Sequence, residues 1–312
     1  MREKAFIREV GPRDGIQMVK TILSTERKLE WMRKEAAAGV KRFEATSFVP
    51  AKVVPQFHDA AEVAQGALTI PGIEPAVLVP NLKGAQRAFD VGVPKVNYVL
   101  SASEMHNQSN VRRSTDESIE DFRRIIAERD ARGLKGKVEI GAGIATSFGC
   151  TIQGPVPEKR VVEIASLLVE AGAQEVSLAD TVGYGNPAQI RRLFAAVTKV
   201  VGNVPLAAHF HDTRGLGIAN VTAAVDVGIR RFDASLAGLG GCPFAPGATG
   251  NIDTEDTAFL LESLGFDTGI DIEKLIAVRQ EVETWLPGER FFGMVARAGL
   301  PKTYRDTTAA AA

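Results

Sequence analysis

The sequence predicts an α/β protein of the eight-stranded parallel barrel class, a (β/α)8 TIM barrel with additional C-terminal helices. Three observations carry that reading. Four times a helix-like run ends at a glycine and passes straight into an apolar strand: AAGVKRFEAT, DVGVPKVNYV, EAGAQEVSLA and DVGIRRFDAS. The glycines are Gly39, Gly92, Gly172 and Gly228, where a left-handed helix terminus favours the residue without a Cβ. Four more apolar runs, Ala5–Val10, Glu74–Val79, Val138–Ile144 and Val204–His209, make eight strand candidates separated by amphipathic helical stretches. Alternation of that kind implies parallel strands joined by helical crossovers. Finally, no G-x-G-x-x-G follows the first strand, where a doubly wound sheet usually carries it. The closed barrel is therefore preferred over the open sheet.

The helix starts agree with this order. Ser24 or Thr25 caps the first helix, Ser114 and Glu117 have capping-box spacing, and Asn186-Pro187 reads as an N-cap with its first helical residue. The barrel is expected over residues 5–240, and a cysteine-containing loop with two or three helices over 238–305. No Pro/Ser-rich linker interrupts the 312 residues, so one domain spanning 1–312 is expected. Lys plus Arg number 37 and Asp plus Glu 38, which argues against nucleic acid or an anionic membrane as the main partner. No apolar run is long enough to span a membrane, and the N-terminus shows no targeting pattern. Two cysteines, Cys150 and Cys242, are too few for a disulfide framework, so a cytoplasmic location is expected.

In such a barrel the chemistry gathers at the C-terminal ends of the strands. Strand one leads into EVGPRDGIQ, with Arg13 and Asp14; strand two ends in FEATSF, with Glu44 and Ser47. Strand six ends in SLADT, with Asp180 and Thr181, and strand seven in AHFHDTRG, with His209 and His211. The loop after strand eight, GLGGCPFAPGATGN, brings Cys242 and Asn251.

His209 and His211 fall on one face of a strand, because the side-chain period there is two. Two imidazoles beside Asp14, with an amide such as Asn251, form a mixed N/O set that suits Mg²⁺ or Mn²⁺ better than structural Zn²⁺. The same pair also serves as hydrogen-bonded structural groups at a strand end, and spacing alone leaves both readings open. Arg13 follows the rigid Gly11-Pro12 turn, and is either a surface partner of Asp14 or a fixed cation for a developing enolate oxygen. Cys242 sits among five glycines between Gly238 and Gly250, as an inert thiol or as a gated acid or base. Glu44 and Asp180 are expected to point into the barrel mouth and to hold neighbouring cations. Cys150 reads as structural. Arg112 and Arg113 read as a solvated face before they read as a phosphate contact.

Taken together, EVGPRDGIQ (9–17), FEATSFVPAKVVPQ (43–56), SLADTVGYGNP, HFHDTRG (209–215) and GLGGCPFAPGATGNIDTED (238–256) resemble the hydroxymethylglutaryl-CoA lyase family of the DRE-TIM metallolyases. The resemblance runs from residue 5 to about 265, and the Cys-Pro loop ending in Gly-Asn is its most specific element. It implies a TIM barrel that cleaves 3-hydroxy-3-methylglutaryl-CoA to acetyl-CoA and acetoacetate with a divalent cation. By the same resemblance Asp14, His209, His211 and Asn251 are metal ligands, and Arg13 stabilises the enolate of the leaving acetyl-CoA. Cys242 is the catalytic thiol, with Glu44 and Asp180 supporting the site. Gln17, Ser47, Thr181 and Glu255 match the pattern as further substrate-site candidates.

The acceptor of the first proton stays open among Cys242, Asp180 and a histidine-linked water. The stretch IATSFGCTIQG departs from several family members, while HNQSNVRRS (106–114) and the C-terminal segment resemble bacterial versions. These segments bear on the acyl pocket, so cleavage of a citramalyl- or 3-methylmalyl-type thioester is the main alternative. A Claisen-condensing acyltransferase and a non-catalytic CoA-binding barrel are weaker ones. A homodimer and a place in leucine degradation complete what the resemblance implies.

Overall fold

The computed structural model describes residues 2–241 and 250–304. Eight parallel strands close into a barrel in chain order, the last pairing with the first. They are β1 (Phe6–Glu9), β2 (Arg42–Ser47), β3 (Glu74–Val79), β4 (Lys95–Ser101), β5 (Glu139–Ala145), β6 (Glu175–Asp180), β7 (Leu206–Phe210) and β8 (Arg231–Ala234). The crossovers carry α1 (Thr25–Ala37), α2 (Ala60–Leu68), α3 (Leu82–Val91), α4 (Glu104–Val111), α5 (Thr115–Ala131), α6 (Glu158–Glu170), α7 (Pro187–Val201) and α8 (Gly217–Asp226). After the barrel come α9 (Thr254–Ser263), α10 (Ile272–Trp285) and the short α11 (Val295–Ala298). No helix among the described residues is long and apolar enough to cross a membrane.

Local sequence explains most of these boundaries. The Ser24 side chain accepts from the Arg27 N–H to start α1, and Asn186 accepts from Gln189 to start α7. Ser114 and Glu117 form the reciprocal capping box of α5. The four glycines of the repeat take φ values of 99° at Gly39, 83° at Gly92, 105° at Gly172 and 90° at Gly228, each turning a helix back toward the sheet.

Two expected strands are shorter, β7 at its start and β1 by one residue at each end. β7 starts at Leu206 rather than Val204, because Pro205 has no N–H to offer the ladder. β1 stops at Glu9 because the Val10 carbonyl turns away to accept from the N–H groups of Arg13, Asp14 and Gly15. β5 sits one residue later than expected, at Glu139–Ala145.

The core lies between barrel and helices. Trp31 and Met32 of α1 are fully buried, as are Phe122 of α5 and Phe194 of α7. Burial of each such side chain contributes about 1.5–3 kcal/mol. Phe148, Phe194 and Phe210 stack tilted or edge-on, with centroids 6.1–6.3 Å apart, and wedge α7 against β7. Register then fixes which polar residues meet inside the barrel. Arg8 lies opposite Asp233 across β1 and β8, and His209 lies opposite the same Asp233 across β7 and β8.

Candidate active site

Residues 11–15 form one wide, π-type turn at the mouth of β1, in which Val10 O accepts from Gly15 N and Gly11 O from Ile16 N. The turn is clamped from below by Glu9. Its Oε1 accepts from Gly11 N (2.7 Å) and Leu236 N (2.9 Å), and its Oε2 from Thr254 Oγ1 (2.6 Å). Only glycine fits at position 11, where a Cβ would lie 2.5 Å from Glu9 Oε1 and 2.8 Å from the Trp31 ring.

The clamp presents Arg13 and Asp14 to the mouth. Arg13 donates through Nε to Glu44 and through Nη1 to Asp14, and Glu44 accepts in turn from Asn97 Nδ2 at 2.7 Å. Burial alone would lower the Arg13 pKa, but Asp14 and Glu44 raise it net, so the guanidinium keeps its charge. Burial would likewise raise Asp14, yet Arg13, His211 and His209 hold its carboxyl well below the usual carboxylate range.

His209 in β7 and His211 just beyond it project to the same side. Their Nε2 atoms are 3.3 Å apart, and Asp14 Oδ2 lies 4.0 Å from the first and 3.7 Å from the second. One ligating atom from each of the three comes within 4.8 Å of the others. Asn251 joins them through an isolated antiparallel bridge to His211. Its Nδ2 donates to Asp14 Oδ2 (2.8 Å) and to Leu239 O (3.0 Å), while its Oδ1 is buried without a hydrogen-bond partner.

This donor set fits a divalent cation. Ligands bonded at roughly 2.0–2.2 Å to a common ion stand about 3–4 Å from one another, and the two imidazole–carboxylate separations are too long for hydrogen bonds. The surroundings also favour positive charge: burial would lower the His209 pKa, but Asp233 and Asp14 raise it net.

The other predicted residues divide. Asp180 ends β6 at the same mouth, and its two oxygens accept from Tyr184 N (2.8 Å) and Gly185 N (2.9 Å). Burial raises its pKa, and those two N–H groups, with His211 and Arg214, offset only part of the rise. Thr181 Oγ1 accepts from Thr146 N (2.9 Å), tying the ends of β5 and β6. Ser47 is buried and its hydroxyl accepts from Val49 N (3.2 Å). Gln17 is half-buried one turn after Asp14.

Glu255 faces elsewhere. It is fully buried against Ala237 N and Arg279 (3.2 Å), in a separate cluster of carboxyl groups with Glu9 and Glu35. Arg113 pairs with Asp121 at 2.6 Å and Arg112 closes α4 with φ 57°, so these two arginines serve the surface. Cys150 is buried, its Sγ accepting from Ile152 N and Gln153 N. Cys242 lies outside the described residues.

Sequence reasoning misses Asp233 and Asn97, which lie inside β8 and β4 rather than at the strand ends. Asp233 accepts from His209 Nδ1 at 3.1 Å. The available signal was a polar residue between two apolar neighbours inside a strand, Val96-Asn97-Tyr98 and Phe232-Asp233-Ala234.

Comparison with known proteins places the chain among others of one kind. The HMGL-like family profile matches residues 4–282. The hydroxymethylglutaryl-CoA lyase of Bacillus subtilis is 39% identical over 281 residues, covering 90% of this chain and 93% of that protein. The mitochondrial hydroxymethylglutaryl-CoA lyase of Gallus gallus is 38% identical over 274 residues, covering 88% and 91%. A solved HMG-CoA lyase from Acinetobacter baumannii, in complex with coenzyme A and 3-methylmalate, superposes with a TM-score of 0.90 at 39% identity, covering 96% of each chain.

Proposed function

The chain belongs to the HMGL-like family, and from that premise we propose that it is a carbon–carbon lyase cleaving 3-hydroxy-3-methylglutaryl-CoA to acetyl-CoA and acetoacetate. The observation that carries this reading is the convergence of Asp14, His209 and His211 beside a charged, immobilised Arg13. Asp14, His209, His211 and Asn251 are the proposed holders of a divalent cation. Their nitrogen and oxygen donors, with no thiolate among them, favour Mg²⁺ or Mn²⁺. When bound, such a cation lowers the pKa of a hydroxyl in contact with it and offsets developing negative charge.

The chain's own residues supply the rest. Asp180, made more basic by burial, takes the substrate hydroxyl proton; Glu44 is committed to Arg13 and Asn97. The electron pair of the breaking C–C bond then passes onto the thioester, and the Arg13 guanidinium stabilises the enolate oxygen. Glu44 and Asn97 brace Arg13, so little reorganisation is needed as charge develops. Cys242 returns a proton to the enolate carbon, releasing acetyl-CoA. Gln17 faces the approach, Ser47 and Thr181 hold the loops at the strand ends beneath it, and Glu255 supports the loop that leads to Cys242 through Ala237. The proposed working form is a cytoplasmic homodimer, each chain one unit of barrel plus C-terminal helices, serving leucine degradation.

Incubation with hydroxymethylglutaryl-CoA and Mg²⁺ or Mn²⁺ tests the reading by acetoacetate release. A second substrate belongs in the same assay. Because the Acinetobacter relative holds coenzyme A with 3-methylmalate, a 3-methylmalyl-type thioester is the competitor to include. Turnover of that thioester without acetoacetate from the first would replace the named acyl group and leave the retro-Claisen chemistry in place.

A further inference from the structure

His209 is held from behind by a chain of ion pairs that runs down the barrel axis. Its Nδ1 lies 3.1 Å from Asp233 Oδ2. The same carboxylate accepts a two-pronged hydrogen bond from Arg8, Nε to Oδ1 at 2.8 Å and Nη2 to Oδ2 at 3.0 Å. The third nitrogen of Arg8, Nη1, donates to Glu175 Oε1 at 2.9 Å. Glu175 Oε2 in turn accepts from Arg231 (2.6 Å) and Lys95 (3.0 Å). These groups line a cavity of about 350 Å³ at the N-terminal end of the barrel, opposite the proposed metal site.

We propose that Arg8 is a positioning residue for metal binding: its guanidinium fork locks Asp233, which in turn fixes the ring and tautomer of His209. The argument rests on the metal-ligand reading of His209 above. An Nδ1–H donated to Asp233 leaves the Nε2 lone pair directed toward His211 and Asp14, which is the form a cation needs. A carboxylate bound by one imidazole alone can swing; a planar fork on both its oxygens removes that freedom. Lysine at position 8 would supply the charge without the fork. Register makes the device possible, because Arg8 and His209 both lie opposite Asp233 across neighbouring strands. Glu175 holds the far end of Arg8, so the order of the metal site is set partly from the opposite end of the barrel.

The test is Mn²⁺ affinity, by calorimetric titration of the metal-free protein, together with the His209 tautomer from long-range ¹H–¹⁵N NMR. Native protein, Arg8→Met, Arg8→Lys, Asp233→Asn and His209→Ala are compared. Outer-shell partners of metal ligands typically matter by about 10–100-fold in affinity. Asp233→Asn is expected in that range, Arg8→Met near its lower end at about 10-fold, and Arg8→Lys between Arg8→Met and native protein. His209→Ala loses binding. In alkaline buffer, where the ring is neutral, the His209 signal of Arg8→Met moves from Nδ1–H toward a tautomer mixture, which a merely structural plug would not cause. Binding within two-fold of native in Arg8→Met, with the native tautomer, overturns the proposal and leaves the metal site intact. Undiminished binding in His209→Ala overturns the metal reading itself. Should Arg8→Met fail to fold, Arg8→Lys decides, and native affinity there overturns the proposal.

Discussion

Glu9 and Asp14 stand five residues apart on one strand-to-loop connection, and the protein treats their carboxyl groups in opposite ways. Around Glu9 there are mainly other acids. Burial pushes its pKa up to about 7 despite hydrogen bonds from Thr254, Leu236 and Gly11, and Glu255 adds to the rise. Glu35 of α1, fully buried with neither oxygen hydrogen-bonded, is pushed well above the usual range by burial and then by Glu9. Around Asp14 there are cations instead, and Arg13 overcomes burial to keep it ionised. Burial is common to both regions, so the neighbours decide the charge. One region is a clamp of carboxyl groups raised by burial that holds the loop; the other is an ionised pole that can hold a cation.

Breaking the ionised pole has the largest expected effect. Arg13→Met is expected to cut turnover by about 10²–10³-fold, the usual loss for one fixed donor to an oxyanion. Acetoacetate release at saturating metal measures it, and an unchanged rate would remove Arg13 from the chemistry. Cys242→Ser is expected to lower turnover by about 10²-fold as an acid–base loss, with Mn²⁺ affinity unchanged. A parallel fall in metal affinity would make that thiol part of the ionised pole.

The pH dependence of stability separates the two regions without any mutation. Glu9 keeps its proton in the folded protein up to about 7, whereas the unfolded chain loses it near 4.5. Its contribution is therefore lost as pH rises between those values. Asp14 and Asp233, both lowered, contribute stability above the unfolded aspartate value of 3.8 and lose it as pH falls below. Urea unfolding of the metal-free protein is expected to show lower stability at pH 8 than at pH 5, with a second decline below pH 3.8. A flat profile from pH 5 to 8 would contradict the raised carboxyl of Glu9. The smallest effect belongs to Glu35→Leu, which removes an unsatisfied buried carboxyl and is expected to stabilise by about 1–3 kcal/mol. The gain should be largest at pH 8 and smallest well below pH 4.5, where Glu35 is protonated in the unfolded chain as well.

The barrel was legible because glycine-to-strand junctions and caps are local signals, read within a few residues of one another. The ionised pole was legible too, since Arg13-Asp14 and His209-x-His211 are dense polar clusters at strand ends. The carboxyl clamp was not. Glu9 carries no local signal inside EVGPRDGIQ, and Glu35 looks like any helix-face acid, because α9 and α10 arrive from far along the chain. Asp233 was hidden for a related reason: its meaning depends on register with β1 and β7, which no single segment contains. Glu255 shows the converse, a residue that matches the family pattern yet sits in the clamp beside Arg279.

The central claim is that the ionised pole holds the cation on which cleavage depends. Mn²⁺ stoichiometry and acetoacetate release, measured together on native protein and on His211→Ala, test it most directly. The expected result is one Mn²⁺ per native chain with acetoacetate formed, and neither in the variant at a native circular dichroism spectrum. Full turnover by His211→Ala after removal of its metal would contradict the account.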